Sequence, residues 1–472
     1  MDNLTPAGPL RLAFYGDDFT GSTDALEVLA FAGLRCALFL KVPTAETLQA
    51  LGGFDAIGIA GDSRAMSPSE MDVALPPIFN ALARLAPPLI HYKVCSTFDS
   101  STSIGSIGRV LEIARQTFGP VCIPIVAGTP SLSRFCAFGN LFARSGTDGK
   151  TYRIDRHPIM RVHPVTPSLE SDLTKHLGLQ TALVIGKFEL PNFGLPPAAT
   201  ARLAQEAQTN GMDALLFDST TPEHLTAVGQ LLEAHAVPYG SAFVVGSSGV
   251  EYAMTQWWRE TRQVQAATRR YDTFAAVDQV LAVSGSASAL SALQIDTAIA
   301  AGFIEVPIDA RTLVDDAQWA TALEKLVAEV VEQLARGESV MLHTARGPKD
   351  ARIAALVDFL VTQGNTREQA RHAGGRLLGY RLGLIVQKVL QSVPLKRLLL
   401  SGGDTSSQIT QVLAPDALEI EARLAPGAPL CSVISQQPHL NQLQIALKGG
   451  QMGEADYFVK ARQGSNQQSA PQ

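Results

Sequence analysis

The stretch "YGDDFTGSTDALEVLA", residues 15–30, ends an apolar run with two adjacent aspartates, turns through Thr-Gly-Ser and then takes up a helical apolar pattern. A strand that hands over to a helix through a short polar turn is the repeating unit of α/β proteins. Asp17 and Asp18 then stand at the carboxyl end of a parallel strand, where such folds bind ligands. One reading of the turn is local: Asp18, Thr20 or Ser22 caps the helix. The other is functional, with the carboxylates directed into a crevice.

The same alternation extends through the chain. Apolar runs at 11–16, 35–42, 55–61, 88–94, 121–128, 182–187 and 213–218 are interleaved with helical patterns near 22–33, 104–116 and 221–236. Near-continuous apolar strands mean a mostly parallel sheet covered on both faces. A polar, charged segment at 257–279 separates this series from a second, with strands at 279–285, 339–345 and 397–403 and helices near 287–301, 316–336 and 366–392. A β-rich stretch at 439–453 closes the second series. The fold class expected is α/β: two domains, each a mostly parallel sheet flanked by helices, with a ligand cleft between them. The expected division is 1–258, a linker at 259–278, a second domain at 279–461 and a disordered polar tail at 462–472.

Bulk composition removes several classes of function. The chain has 472 residues, 46% hydrophobic and 17% charged, with a net charge of −6, so neither nucleic acid nor an anionic membrane is the expected partner. Five cysteines without CxxC spacing argue against a zinc site or a disulfide framework and for thiols in a reducing compartment. "MDNLTPAGPL" lacks the basic and apolar regions of a signal peptide, and no run reaches the ~18 apolar residues of a membrane span. A cytoplasmic location is expected.

In the second series, "VSGSASAL" (283–290) and "SGGDTSSQ" (401–408) sit at strand-to-helix turns, and "LKGGQMG" (447–453) ends the last strand. Glycines let backbone approach an anion, and a helix N-terminus offers N–H donors and a positive dipole. Each turn alone is a common connection; three in one domain point to a bound phosphate chain. GxxxxGK[ST], GxGxxG and the protein-kinase motifs are all missing from the sequence.

In the first series, "GDSRAM" (61–66) brings Asp62 and Arg64, and "YKVCSTFDSS" (92–101) brings Lys93, Cys95, Ser96, Thr97 and Asp99 to strand ends. Arg and Lys suit a carboxylate, Asp, Ser and Thr suit hydroxyls, and an Asp beside an acceptor hydroxyl can take its proton. The set suits a small polyhydroxy acid. Lys93, inside an otherwise apolar strand, is read as functional, because an unpaired lysine there is expensive. His157 and His163 lie in a Pro-rich loop and are read as packing residues; no metal ligands are assigned among the side chains. Cys95 is read as a small packed residue rather than a nucleophile.

Taken together, "GDDFTGSTDALE", "SGGDTSSQ" and "LKGGQMGEADYFVKA" resemble the four-carbon acid sugar kinases of the DUF1537 type, from about residue 11 to 461. The resemblance implies an N-terminal acid-sugar domain, a C-terminal nucleotide domain, and phosphorylation of a hydroxyl of threonate, erythronate, 3-oxo-tetronate or a relative by ATP with Mg²⁺. It implies catalysis and substrate contacts from Asp17 and Asp18, and further substrate contacts from Arg64, Lys93, Cys95 and Ser96. Nucleotide contacts fall to Ser286, Gly402, Gly403, Asp404, Thr405 and Gly450. Arg64 and Lys93 are expected to hold the substrate carboxylate, and which aspartate is the base stays open. The family's stretch after the lysine reads approximately V-D-S-T-L-R-G-N, whereas this chain has Val94-Cys95-Ser96-Thr97-Phe98-Asp99-Ser100-Ser101. An anion and a cation are lost, which points to a branched or oxo acid such as 3-oxo-isoapionate. A homodimer is also expected. The other classes left open are a hydrolase or isomerase acting on a phosphorylated sugar acid, and a sensor that binds a small acid without turnover.

Overall fold

The computed structural model describes residues 9–145, 148–163, 165–236, 240–265 and 269–465. The chain forms two compact units, Met1–Thr268 and Arg269–Gln472, dividing inside the polar 259–278 segment. The helix Tyr457–Gln463 carries order two residues past 461, and residues 466–472 of the expected tail lie outside the described residues.

In the first unit, eleven strands are described: β1 (Leu12–Gly16), β2 (Cys36–Phe39), β3 (Ala56–Ala60), β4 (Leu89–Lys93), β5 (Ile123–Val126), β6 (Arg134–Ala137), β7 (Asn140–Arg144), β8 (Thr151–Arg153), β9 (Ile185–Phe188), β10 (Ala214–Phe217) and β11 (Ala242–Gly246). Eight of them form one sheet in the order β2-β3-β1-β4-β11-β5-β10-β9, with every pair parallel. Strands β6, β7 and β8 form a separate antiparallel meander. The winding runs one way from β1 through β3 to β2 and the other way through β4, so the order reverses between β1 and β4. That reversal is the topological switch point at which a parallel sheet opens a crevice.

The second unit adds β12 (Leu281–Ser284), β13 (Ile304–Pro307), β14 (Val340–His343), β15 (Arg397–Ser401), β16 (Ala417–Ala425), β17 (Ala428–Ile434) and β18 (Gln444–Lys448). Strands β13-β14-β12-β15-β18 are parallel, and β17 and then β16 extend the sheet antiparallel. Here the order reverses between β12 and β15.

Sequence dictates much of this. Every residue of β1, β4, β11, β12 and β15 is buried, as a strand covered on both faces requires. The expected strands at 11–16, 35–42, 55–61, 88–94, 121–128, 182–187, 213–218, 279–285, 339–345 and 397–403 all contain a strand. The meander, β11, β13 and the β16–β17 hairpin were not foreseen. The hairpin does carry a signal: two alternating runs flank Pro426-Gly427.

Register fixes β1 tightly. Phe14 is fully buried and pairs with Gly58 on β3, and a Cβ built on Gly58 would stand 2.1 Å from the Phe14 ring. The glycine is there because the ring lies across the strand beside it. Gly58→Ala is therefore expected to destabilise the protein by about 1–3 kcal/mol through overpacking. Adding Phe14→Leu, which withdraws the ring, is expected to recover part of that loss in urea unfolding. A Gly58→Ala variant indistinguishable from wild type would show that the ring is free to move.

Candidate functional sites

The first site is assembled by the β1–β4 reversal. Asp17 donates its backbone N–H to the Lys93 carbonyl at 2.9 Å, and Arg64 donates its own to the Asp17 carbonyl at 3.0 Å. Strand ends from β1, β3 and β4 thus converge at backbone level before any side chain is considered. Asp18 then starts the helix Phe19–Phe31: its backbone is extended, and its Oδ1 accepts the Gly21 N–H at 2.9 Å. Thr20 donates to Asp18 Oδ2 at 2.7 Å and Ser22 donates to the Asp18 carbonyl at 2.7 Å. The cap is Asp18 itself, so Thr20 and Ser22 support it instead of replacing it.

Arg64 grips both aspartates. Its Nε donates to Asp17 Oδ2 at 3.0 Å, and one terminal nitrogen reaches Asp17 Oδ1 at 2.7 Å and Asp18 Oδ1 at 2.8 Å. Both oxygens of Asp17 are taken, and its side chain is 5% exposed against 25% for Asp18. The two carboxyls are driven apart electrostatically. Burial dominates at Asp17 and holds its carboxyl above the usual range despite Arg64. Burial also pushes Asp18 up, but Arg64, the Thr20 hydroxyl, Lys93 and the Gly21 N–H outweigh it and leave Asp18 below that range.

Lys93 is 2% exposed, and its amine lies 3.7 Å from Asp24 on the first helix and 3.1 Å from the Val94 carbonyl. Asp24 was missed in the sequence, although it stands six residues after Asp18 in the quoted stretch. Burial raises the Asp24 pKa against the pull of Lys93. Behind this pair, His91 contacts Glu251 Oε1 at 2.6 Å and the Gly246 carbonyl at 3.1 Å, all fully enclosed.

The Cys95–Asp99 segment forms a tight turn, with Phe98 N–H donating to the Cys95 carbonyl at 3.0 Å and Phe98 held at φ 54°. A bulky residue at positive φ is strained, so the surrounding packing over-determines this turn. Thr97 donates to Asp99 at 2.8 Å, which leaves it to accept the Cys95 S–H at 3.0 Å. Burial, helped by Asp99, pushes the Cys95 thiol up to about 11, so it is neutral at physiological pH. Ser96 sits half-buried on the same turn. The two loop histidines do local work: Nδ1 of His157 accepts the Ile159 and Met160 N–H groups, and Nδ1 of His163 accepts that of Thr166.

The second site is assembled by the β12–β15 reversal. Gly285 N–H donates to the Ser401 carbonyl at 3.0 Å, and Gly402 N–H donates to the Lys448 carbonyl at 2.9 Å. Ser288 and Ser291 hydroxyls both donate to the Gly450 carbonyl. The three glycine turns therefore meet: a Cβ on Gly450 would stand 2.4 Å from Ser286 Oγ, and one on Gly285 would stand 2.0 Å from Thr405 Oγ1. Gly402, at φ 107°, starts the helix Gly403–Leu413 with no side-chain cap, so the first N–H groups of that helix keep their donors. Ser284 and Ser406 are fully buried beside these turns with no hydrogen-bond partner for either hydroxyl. Asp404 is exposed in the first turn of the helix. This cradle fits a phosphate chain: backbone donors, small hydroxyls and no side-chain bulk. Among the described residues, no cluster of three His, Cys, Asp or Glu side chains forms a ready-made metal cage. Two hollows of about 470 and 520 Å³ lie elsewhere, on the helix pair Asp316–Ala335 and Arg367–Ser392 and around Arg11, Pro88 and Trp258.

Lys448, missed in the sequence, ends β18 fully buried, with its amine 3.2 Å from the Gly449 carbonyl and over the Tyr457 ring. Burial lowers its pKa from 10.5 to about 8. The unfolded chain holds the proton more tightly, so the penalty is complete below about pH 8 and is relieved as pH rises towards 10.5. Lys448→Met is expected to raise stability at pH 7, by up to roughly 3 kcal/mol, and to flatten the gain wild type shows between pH 8 and 10. Parallel pH–melting curves for the two proteins would refute this placement of the amine.

Comparison with known proteins matches both halves of the chain to described domains. The model of a sugar-binding N-terminal domain matches residues 12–254, and that of a nucleotide-binding C-terminal domain matches 281–458. The chain is 40% identical over 459 residues to the 3-oxo-isoapionate kinase of Paraburkholderia graminis, covering 97% of this chain and 95% of the relative. It is 29% identical over 464 residues to the 3-oxo-tetronate kinase of Pectobacterium atrosepticum, covering 96% and 99%. The fold matches a crystal structure of a Salmonella typhimurium LT2 protein at TM-score 0.71 and 21% identity, covering 96% and 99% of the two chains. It also matches a DUF1537 protein of Haemophilus influenzae at TM-score 0.68 and 21% identity, covering 95% and 99%. With its polar edge in the N-terminal unit, its glycine cradle in the C-terminal unit and this likeness along its length, the chain belongs to the four-carbon acid sugar kinase family.

Proposed function

We propose that the chain is an ATP-dependent kinase that phosphorylates a hydroxyl of a small acid sugar, and that its acceptor is 3-oxo-isoapionate or a close branched or oxo relative. The observation that carries this reading is the presence of two different polar edges, one at each switch point. The carboxylate–guanidinium edge of the first unit suits hydroxyls and a carboxylate, and the uncapped glycine cradle of the second suits phosphates. The 40% identity to a 3-oxo-isoapionate kinase supports the choice of acceptor. A hydrolase or isomerase is not favoured, because the likeness to kinases runs the whole length of both units.

Roles follow from exposure and charge. Asp18, the more exposed aspartate, accepts the hydrogen bond of the acceptor hydroxyl and orients it. Its low pKa suits a reaction that needs alignment more than a strong base, since the transferred phosphoryl group is only loosely bonded in the transition state. Asp17, enclosed and fully engaged, holds Arg64. In the second unit Ser286, Gly402, Gly403, Thr405 and Gly450 hold the phosphates of ATP, and Asp404 is available to Mg²⁺, which takes one or two carboxylates alongside phosphate oxygens and water. ATP supplies the phosphoryl group and Mg²⁺ neutralises its charge. Use of ATP implies a cytoplasmic protein, in keeping with five cysteines that form no disulfide.

The test is ADP release in a coupled assay with Mg-ATP and 3-oxo-isoapionate, 3-oxo-tetronates, threonates and erythronates. Turnover is expected on the first. Asp18→Asn keeps the helix cap, because asparagine caps as well as aspartate. It is expected to lower kcat by about 10²–10⁴, with a fall in melting temperature confined to the loss of its charge pair with Arg64. Asp17→Asn is expected to act mainly on stability, because it loosens a buried ion pair. Near-wild-type kcat in Asp18→Asn would remove Asp18 from the catalytic role.

A further inference from the structure

Of the cations at the carboxyl edge of the eight-stranded sheet, three bear on the site described above, and two of those already have anions. Arg64 is bound by Asp17 and Asp18, and Lys93 faces Asp24. Neither is free to take a substrate carboxylate without giving up a buried aspartate. The third is Arg134, the first residue of β6, which returns to this edge from the loop after β5. Thr129 anchors that loop: its hydroxyl contacts Ser247 after β11 at 2.7 Å, and its backbone exchanges hydrogen bonds with Arg134 at 2.9 and 3.1 Å.

Arg134 has no anion of its own. One terminal nitrogen donates to the carbonyls of Leu132 at 3.0 Å, Ser133 at 3.3 Å and Arg144 at 3.4 Å. Its Nε–H is enclosed and meets no acceptor. Among the described residues, no carboxylate lies within ion-pair distance of it. The carboxylate whose field it feels is that of Asp99, on the turn after β4. A half-buried guanidinium with an orphaned N–H and no counter-ion is a costly arrangement for the protein alone. It becomes a favourable one when a planar anion offers two oxygens to its fork.

We propose that Arg134, rather than Arg64 or Lys93, binds the carboxylate of the acid sugar through the terminal nitrogen not bonded to these carbonyls, the enclosed Nε–H turning towards the anion to complete a bidentate pair. Arg64 and Lys93 instead hold Asp17, Asp18 and Asp24 in place around the acceptor hydroxyl. The inference rests on the reading of this edge as the acid-sugar site. It assigns the two ends of the substrate to different elements: the hydroxyl to the β1 edge, the carboxylate to the loop after β5.

The experiment is steady-state kinetics with Mg-ATP and 3-oxo-isoapionate, with D-threonate as second acceptor, on wild type, Arg134→Gln and Arg134→Lys. Loss of a charge-assisted pair is expected to raise the acceptor KM about 30-fold or more in Arg134→Gln, with ATP KM within about twofold. The unliganded melting temperature is expected to fall by no more than about 4 °C, because the carbonyl hydrogen bonds lost with the guanidinium are offset by removal of its unpaired Nε–H. Arg134→Lys restores the charge without the fork and is expected to recover part of the affinity. An unchanged acceptor KM in Arg134→Gln overturns the proposal, as does a fall in melting temperature accompanied by a rise in both KM values. Should wild type phosphorylate neither acid, the kinase reading fails separately, and the acid-induced shift in melting temperature decides the proposal. A shift present in wild type and lost in Arg134→Gln upholds it; a shift retained in the variant, or none in wild type, overturns it.

Discussion

A parallel sheet delivers the carboxyl end of every strand to one edge, and a reversal in winding order parts two adjacent connections there. Both units rest on that constraint. In the first, Asp17 follows β1 and Lys93 ends β4, and the backbone bond between them fixes the opening at which Arg64 and Asp18 meet. In the second, the Gly285 and Gly402 turns leave β12 and β15 on either side of the reversal. Residue chemistry differs at the two edges, but the reason functional residues gather there is the same.

The charged cluster of the first unit is expensive to maintain. Asp17, Asp24, Lys93, His91 and Glu251 are largely or wholly out of water, and burial is the leading influence on both Asp17 and Asp24. A protein selected for stability alone would replace such a cluster with apolar side chains of similar volume. Kept as it is, the cluster fixes the orientation of Asp18, as the role proposed for that residue requires. Asp18 illustrates how tightly the requirements overlap. The same carboxylate caps a helix, accepts from Arg64 and remains the more exposed of the pair, so the observed capping role and the proposed functional one fall on one residue.

The sequence made the strand order of events clear but not the charge partners. Apolar runs such as 11–16, 88–94 and 397–403 located the strands, and the polar residues that follow them located both edges. Strand-end position depends on local pattern, so it could be read directly. Pairing does not: Arg64 with Asp17 spans 47 residues, and the approach of Arg134 to Asp99 depends on a meander of three- to five-residue strands. Those strands are too short and too rich in arginine to show an alternating pattern. Lys93 was singled out because a lone buried lysine needs a partner; the partner, Asp24, became visible only once the first helix had been packed against β4. Arg64 and Lys93 suited a carboxylate by residue type, and only the folded chain showed that their charge was already answered.

That distinction changes how the departures at 95 and 99 act on specificity. Neither residue takes over as the carboxylate-binding cation: Cys95 is a neutral thiol, and Asp99 is an acceptor already engaged by Thr97. Relative to the family pattern, one anion has become a small uncharged group and one cation has become an anion, so the turn after β4 is the more negative by one charge. A more negative turn repels a carboxylate and favours hydroxyl donors. A branched or oxo acid places extra polar substituents on the carbon skeleton rather than at the carboxyl end. For the acceptor proposed above, the altered turn bears on the part of the substrate in which such acids differ from threonate.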